Sequence, residues 1–161
     1  MNKLLTGILL LSILYSCKKK NTINQQDLDF FPPVNVDFTV NLSLPNYAGL
    51  NFPNGHAYED NFGYKGVVIY NTGFDGPEQF VAFDRTCPYK PDSICSRVSV
   101  DSTNIYFACG QLYQGRFVKC CSSRFFALNG TWIDGPAKRN LRQYFVYRFG
   151  SNILRITNVP R

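Results

Sequence analysis

Val118–Ala137, VKCCSSRFFALNGTWIDGPA, is the stretch whose reading decides the fold. Arg124–Leu128 reads as a strand, Asn129-Gly130 is the strongest hairpin signal in the chain, and Thr131–Ile133 returns antiparallel. Ahead of that hairpin stand two adjacent cysteines, Cys120 and Cys121, followed by Ser122 and Ser123. Structural zinc announces itself as cysteines spaced two to four residues apart, and adjacent thiolates rarely aim at one tetrahedral ion, so spacing predicts no metal site. Ser122-Ser123 with a lone, distant His56 is no catalytic triad, and no G-x-S-x-G occurs.

Upstream, Val67–Tyr70 and Gln79–Asp84 read as strands flanking a glycine-containing turn at Asn71–Pro77. The second of them delivers Cys87 within Asp84–Tyr89, DRTCPY. A further hairpin is expected from Arg97–Asp101 and Asn104–Cys109, and Gly110–Gly115 is expected to be a loop before Arg116–Cys120. Val36–Leu44 alternates apolar and polar side chains with a period of two, the cleanest strand pattern present, and Pro45 ends it. Asn46–Phe62 is rich in Asn, Gly and Pro and predicts an irregular excursion, with His56 on an exposed loop. Gln143–Phe149 and Asn152–Thr157 form a last hairpin around Gly150-Ser151. Helical periodicity and internal repeats are absent, so the fold class is all-β and antiparallel, a sandwich or small barrel.

Length, charge and the N-terminus bound the rest. At 161 residues there is room for one domain with a leader and a linker. Lys3, the apolar run Leu4–Leu14 and Leu14-Tyr15-Ser16-Cys17 have the layout of a secretory leader, and the apolar run is too short to span a bilayer. The closing tetrapeptide resembles a bacterial lipobox, which implies a lipoprotein signal peptide over 1–17 with Cys17 acylated. Residues 18–34, opening with Lys18-Lys19-Lys20, read as a tether, and 35–161 as the domain. Losing Lys3 lowers the formal charge of +6 by one, and the remaining basic residues are scattered rather than striped, which argues against nucleic-acid binding. The expected location is the cell envelope, with the domain outside the cytoplasm, a membrane partner through the lipid and an envelope protein as a further partner.

Together, Asp84–Tyr89 and Val118–Ala137 resemble the two cluster-binding loops of a Rieske-type [2Fe–2S] ferredoxin domain. The family's first loop reads C-x-H and its second C-x-x-H-G-S-x-F, with G-P-A following. Here Cys121-Ser122-Ser123-Arg124-Phe125 stands in place of H-G-S-x-F, and Gly135-Pro136-Ala137 in place of G-P-A. With Ser123 and Phe125 in register, Val118 falls at the second loop's cysteine and Cys121 at its histidine. In the first loop Cys87 keeps the cysteine, while Tyr89 occupies the histidine position. The resemblance covers about Tyr64 to Thr157.

It implies a Rieske-like sandwich carrying a small two-loop lobe. A Rieske centre holds one iron by two thiolates and the other by two imidazoles, and the chain has one histidine. The expectation is therefore a domain without cofactor or enzymatic activity, serving a structural or binding role. An iron–sulfur electron-transfer protein with altered ligands is one alternative, and a thiol–disulfide protein acting through Cys120 and Cys121 is another. If the loops meet as they do in the family, Cys87 and Cys121 come together. A disulfide is expected there, stapling a loop of roughly 35 residues and stabilising the fold by about 3.8 kcal/mol. Respiratory Rieske proteins also bridge the same two loops. Cys120 matches one end of that bridge and Cys95 lies a few residues beyond the other, so the resemblance implies Cys95–Cys120 and leaves Cys109 as a buried, unpaired thiol. Tyr89 is expected to fill the space of an imidazole, Ser123 to hold loop backbone, and Trp132 to pack.

Overall fold

The computed structural model describes residues 32–161, so the leader, Cys17 and most of the tether lie outside the described residues. The strands are β1 (Asp37–Asn41), β2 (His56–Glu59), β3 (Val67–Asn71), β4 (Phe80–Asp84), β5 (Val98–Val100), β6 (Tyr106–Tyr113), β7 (Arg116–Phe126), β8 (Trp132–Asp134), β9 (Gln143–Phe149) and β10 (Ile153–Thr157). Two short 3-10 helices, Pro45–Asn51 and Gly76–Glu78, complete the regular structure of the described residues. A six-stranded base sheet runs β1-β10-β9-β4-β3-β2, and a four-stranded lobe runs β5-β6-β7-β8, with antiparallel pairing throughout. Among the described residues no helix is long and apolar enough to cross a membrane.

Strands β3 and β4 explain how the two sheets hold together. Every residue of VVIYN and FVAFD is buried, as a strand covered on both faces requires. Side chains alternate between faces. Val67, Ile69, Phe80 and Ala82 enter a core inside the curl of the base sheet, with Val36 just ahead of β1, Phe38 and Val40 from β1, and Leu154 and Ile156 from β10. Val68, Tyr70, Val81 and Phe83 enter a second core, against Phe107 of β6 and Phe125 of β7. The lobe thus packs on the back of two strands that already serve the base. Tyr70 and Phe83 meet Phe107 edge-on, with ring centroids 6.0 and 5.7 Å apart. The edge of one ring is electropositive and the face of the other electronegative, so this crossing adds to the apolar burial.

Three sequence expectations change. Asn46–Phe62 is not wholly irregular: it contains a 3-10 helix and strand β2, so His56 sits on a strand, part-buried and registered on Tyr70. The open edge of β3 supplies that pairing, and a local pattern does not report it. Gly110–Gly115 is not a loop either. Gln111, Leu112 and Tyr113 extend β6 against Val118, Phe117 and Arg116, and only Gln114-Gly115 turns, with φ of 50° and 74°. Positive φ at both central residues matches the twist of a two-residue hairpin. The β1 strand is shorter than Val36–Leu44, because Leu42 pairs with Asn152 and Leu44 turns back on Asn41. At the other end, the fold engages Pro32, whose carbonyl accepts from Arg142, and Val34, which packs on the first core.

Candidate functional site

The loop after β4 is fixed by one buried carboxylate. Asp84 is wholly buried. Its Oδ2 accepts from the Tyr64 amide (2.7 Å) and the Tyr144 hydroxyl (2.7 Å), and its Oδ1 from the Thr86 amide (2.8 Å) and hydroxyl (2.5 Å). Four donors on two oxygens replace the hydration the carboxylate loses. Arg85 is pinned in turn, giving Nε to the Val98 carbonyl (3.1 Å) and a terminal nitrogen to Asp60 (2.7 Å) while lying 4.0 Å over the Tyr58 ring. Thr86 then bridges Arg97, and Cys87 donates its amide to Ser96, whose hydroxyl returns a bond to the Cys87 carbonyl. Cys87 is therefore held on both sides and is wholly buried.

The second loop is a bulge. Between the pairs Ala108↔Arg124 and Gly110↔Lys119, β6 spends one residue, Cys109, where β7 spends four, Cys120 to Ser123. Surplus residues in a ladder bend the strand and re-aim its side chains. Here they send Cys120 to one side and Cys121 to the other. Cys120 forms a disulfide with Cys95, Cα–Cα 5.4 Å, the pair the resemblance implies. Cys121 turns inward to Cys87, with the sulfurs 3.8 Å apart.

Ser123 holds that bulge in place. Its hydroxyl oxygen accepts from the Ala137 amide (3.0 Å) and the Cys121 thiol (3.3 Å), and its own amide donates to Cys121 Sγ (3.5 Å). Gly135, at φ 86°, lies so close that a Cβ there would stand 2.5 Å from the Ser123 backbone, a contact and a conformation only glycine permits. Phe125 is fully buried in the second core. Ser123, Phe125 and Gly135-Pro136-Ala137 thus form a packing unit.

One expectation fails at the centre of the site. Cys87 and Cys121 are free thiols rather than a disulfide, because a third sulfur shares their space. Cys109, also wholly buried, completes a group whose sulfurs all lie within 4.8 Å of one another. It is more than the small apolar filler the sequence implies. The Cys109 thiol facing Cys87, with the Tyr89 amide, Cys121 and Ser96, outweighs burial and holds the Cys87 thiol below its usual range. The same contact with Cys87, reinforced by burial, pushes the Cys109 thiol up. Sequence reasoning missed Cys109 because membership depends on a bulge that pairs it with four residues far along the chain.

The other positions matching family ligands carry no donors suited to a Rieske centre. Tyr89 is half-buried against the second core, with Lys90 5.4 Å from its ring. Val118 is 45% exposed on the paired β6–β7 arm, opposite Gln111. His56, the one imidazole of the chain, belongs to β2 and packs edge-on against Tyr58 at 5.0 Å. Burial and then the Arg85 charge lower its pKa from 6.5. The residues present therefore do not fit a two-thiolate, two-imidazole cluster.

No family model and no curated protein matches the chain. Among solved structures, it is similar to the plasma-membrane Rieske protein PetC3 of the cyanobacterium Synechocystis PCC 6803, with 25% identity, 76% of this chain and 98% of that one covered, and a TM-score of 0.48. On its own geometry the chain is all-β and antiparallel, a base sheet bearing a lobe in which a β4 loop and a β7 bulge bring Cys87 and Cys121 together, as the resemblance implies for the two loops.

Proposed function

We propose that this protein is a lipid-anchored, Rieske-like domain of the cell envelope that works as a binding or structural module without a histidine-ligated [2Fe–2S] centre. The observation that carries this reading is the content of the ligand positions: a phenol at 89 and an exposed isopropyl group at 118, with the lone imidazole committed to β2. The β6–β7 arm supports the binding role. Leu112, Tyr113, Phe117 and Val118 are all exposed there, and a grouped apolar surface of this kind is suited to a partner. Cys17 and the lysines after it would fix the domain to a bilayer, with most of residues 18–34 as spacer and a functional unit that already includes Pro32 and Val34.

The full chain, purified anaerobically from membranes, is expected to be colourless, free of iron and labile sulfide, and silent in low-temperature electron resonance after reduction. Two irons and two sulfides per chain with a rhombic signal would overturn the reading. Cys17→Ala is expected to move the protein from the membrane to the soluble fraction, and unchanged partition would refute the anchor. The 3.8 Å approach of Cys87 and Cys121 favours a second reading, a reversible dithiol. Peptide mapping after mild oxidation that finds no Cys87–Cys121 link removes it.

A further inference from the structure

Among the described residues the three free thiols come from three separate segments: Cys87 from the loop after β4, Cys109 from β6 and Cys121 from the β7 bulge. An ion held by sulfurs at about 2.3 Å in a tetrahedron has those sulfurs about 3.8 Å apart. Cys87 and Cys121 stand at 3.8 Å, and no pair in the group exceeds 4.8 Å. Cys95 and Cys120 form a disulfide close by, yet these three thiols are unbridged. We propose that Cys87, Cys109 and Cys121 form a three-thiolate site for a single zinc ion, which locks the first loop, β6 and β7 to one another. This rests on the reading that the site holds no Rieske cluster, and it assigns a ligand, Cys109, that lies outside both motif loops.

The choice of ion follows from donor type and charge. A thiolate set selects thiophilic ions, chiefly Zn(II) and Cu(I), over hard cations. Three thiolates leave one surplus negative charge around Zn(II) and two around Cu(I). With Cys87 and Cys109 wholly buried, the smaller residual charge is the cheaper to desolvate. Lys65, bonded to the Ser93 carbonyl, lies within electrostatic reach of Cys87 and offsets part of that charge. The ligands are braced by outer partners, as metal-bearing side chains generally are: Ser96 on the Cys87 backbone, Ser123 on Cys121. Cys121 alone is half-exposed, so the fourth position faces its side and takes water. Binding releases the protons of the three thiols to solvent.

The test is metal analysis of the full chain, purified anaerobically without chelator and titrated with zinc against a chromophoric competitor. The expected result is one zinc per chain. Cys109→Ala and Cys121→Ala should each weaken zinc binding by about 100-fold or more, beyond the 10–100-fold cost of losing an outer-shell partner. Cobalt substituted for zinc should give an intense thiolate-to-metal charge-transfer band that weakens in Cys121→Ala, whose half-exposed position makes it the variant better placed to fold. Protein free of both zinc and iron, with reduced thiols, overturns this inference alone. Stoichiometric zinc retained in folded Cys109→Ala also overturns it. Two irons with two sulfides overturn it together with the functional reading beneath it.

Discussion

The two faces of strands β3 and β4 are packed by different means. On the inner face the base sheet closes around an apolar core, aliphatic and aromatic, drawn from six strands, including the last hairpin of the chain. On the outer face the lobe is joined by aromatic rings, sulfur atoms and a loop tied to one carboxylate. The inner face needs only apolar side chains of about the right size. The outer face needs particular atoms at particular places, so it is the face where a single change is felt locally. The base is the scaffold and the lobe the specialised attachment.

The largest blow to that contrast would come at the contact between the two. Phe83 is wholly buried, crosses Phe107 at 5.7 Å and lies under the backbone of Gly130. Phe83→Ala should cost about 3–5 kcal/mol in urea unfolding; a cost below about 1 kcal/mol would mean that the lobe is not seated on the base as described. Next, replacing Cys95 and Cys120 together by serine removes a bridge of sequence separation 25 and should cost about 3.5 kcal/mol. Amide exchange should quicken in β5–β8 and hardly change in β1 and β10; uniform acceleration would erase the distinction between the faces. Asp84→Asn puts an NH2 donor in place of one carboxylate oxygen, facing two of the four donors that the carboxylate now satisfies, and should cost about 2 kcal/mol. Thiol labelling of Cys87 should rise in parallel.

Smaller effects sharpen the picture. The folded state lowers the His56 pKa below 6.5 through burial and Arg85. The unfolded chain therefore takes up a proton first, so His56's contribution is complete above pH 6.5 and is lost as pH falls toward its folded value. Unfolding midpoints from pH 7.5 downward should show that decline, and His56→Gln should flatten it. Val118→Ser should change stability by less than about 0.5 kcal/mol, since Val118 is an exposed arm residue. A larger loss would mean that the arm packs on something in solution.

Much of this architecture is legible in the sequence. The unbroken runs VVIYN and FVAFD, the Asn129-Gly130 turn and the alternation around Val36–Val40 are local signals, and each matches a strand or turn. What the sequence hides is non-local. Strand β2 exists because β3 has a free edge, and no residue of HAYE announces it. The three-sulfur group arises from a mismatch of one residue against four across a ladder, which no spacing within either segment records. Proximity of Cys87 to Cys121 was accessible through motif register, whereas the bond expected from it was not made.

The seat of Gly135 against Ser123 carries a lesson for kinship. A side chain at 135 has nowhere to go, and the Ala137 amide must still find the serine hydroxyl, so Gly135 and Ala137 answer to the shape of the loop, while Ser123 also reaches the Cys121 sulfur. Chains built on this frame should keep that seat even where the residues around their sulfur pocket differ. Searching for them by the frame, rather than by the fittings, would gather members that a ligand-based signature discards.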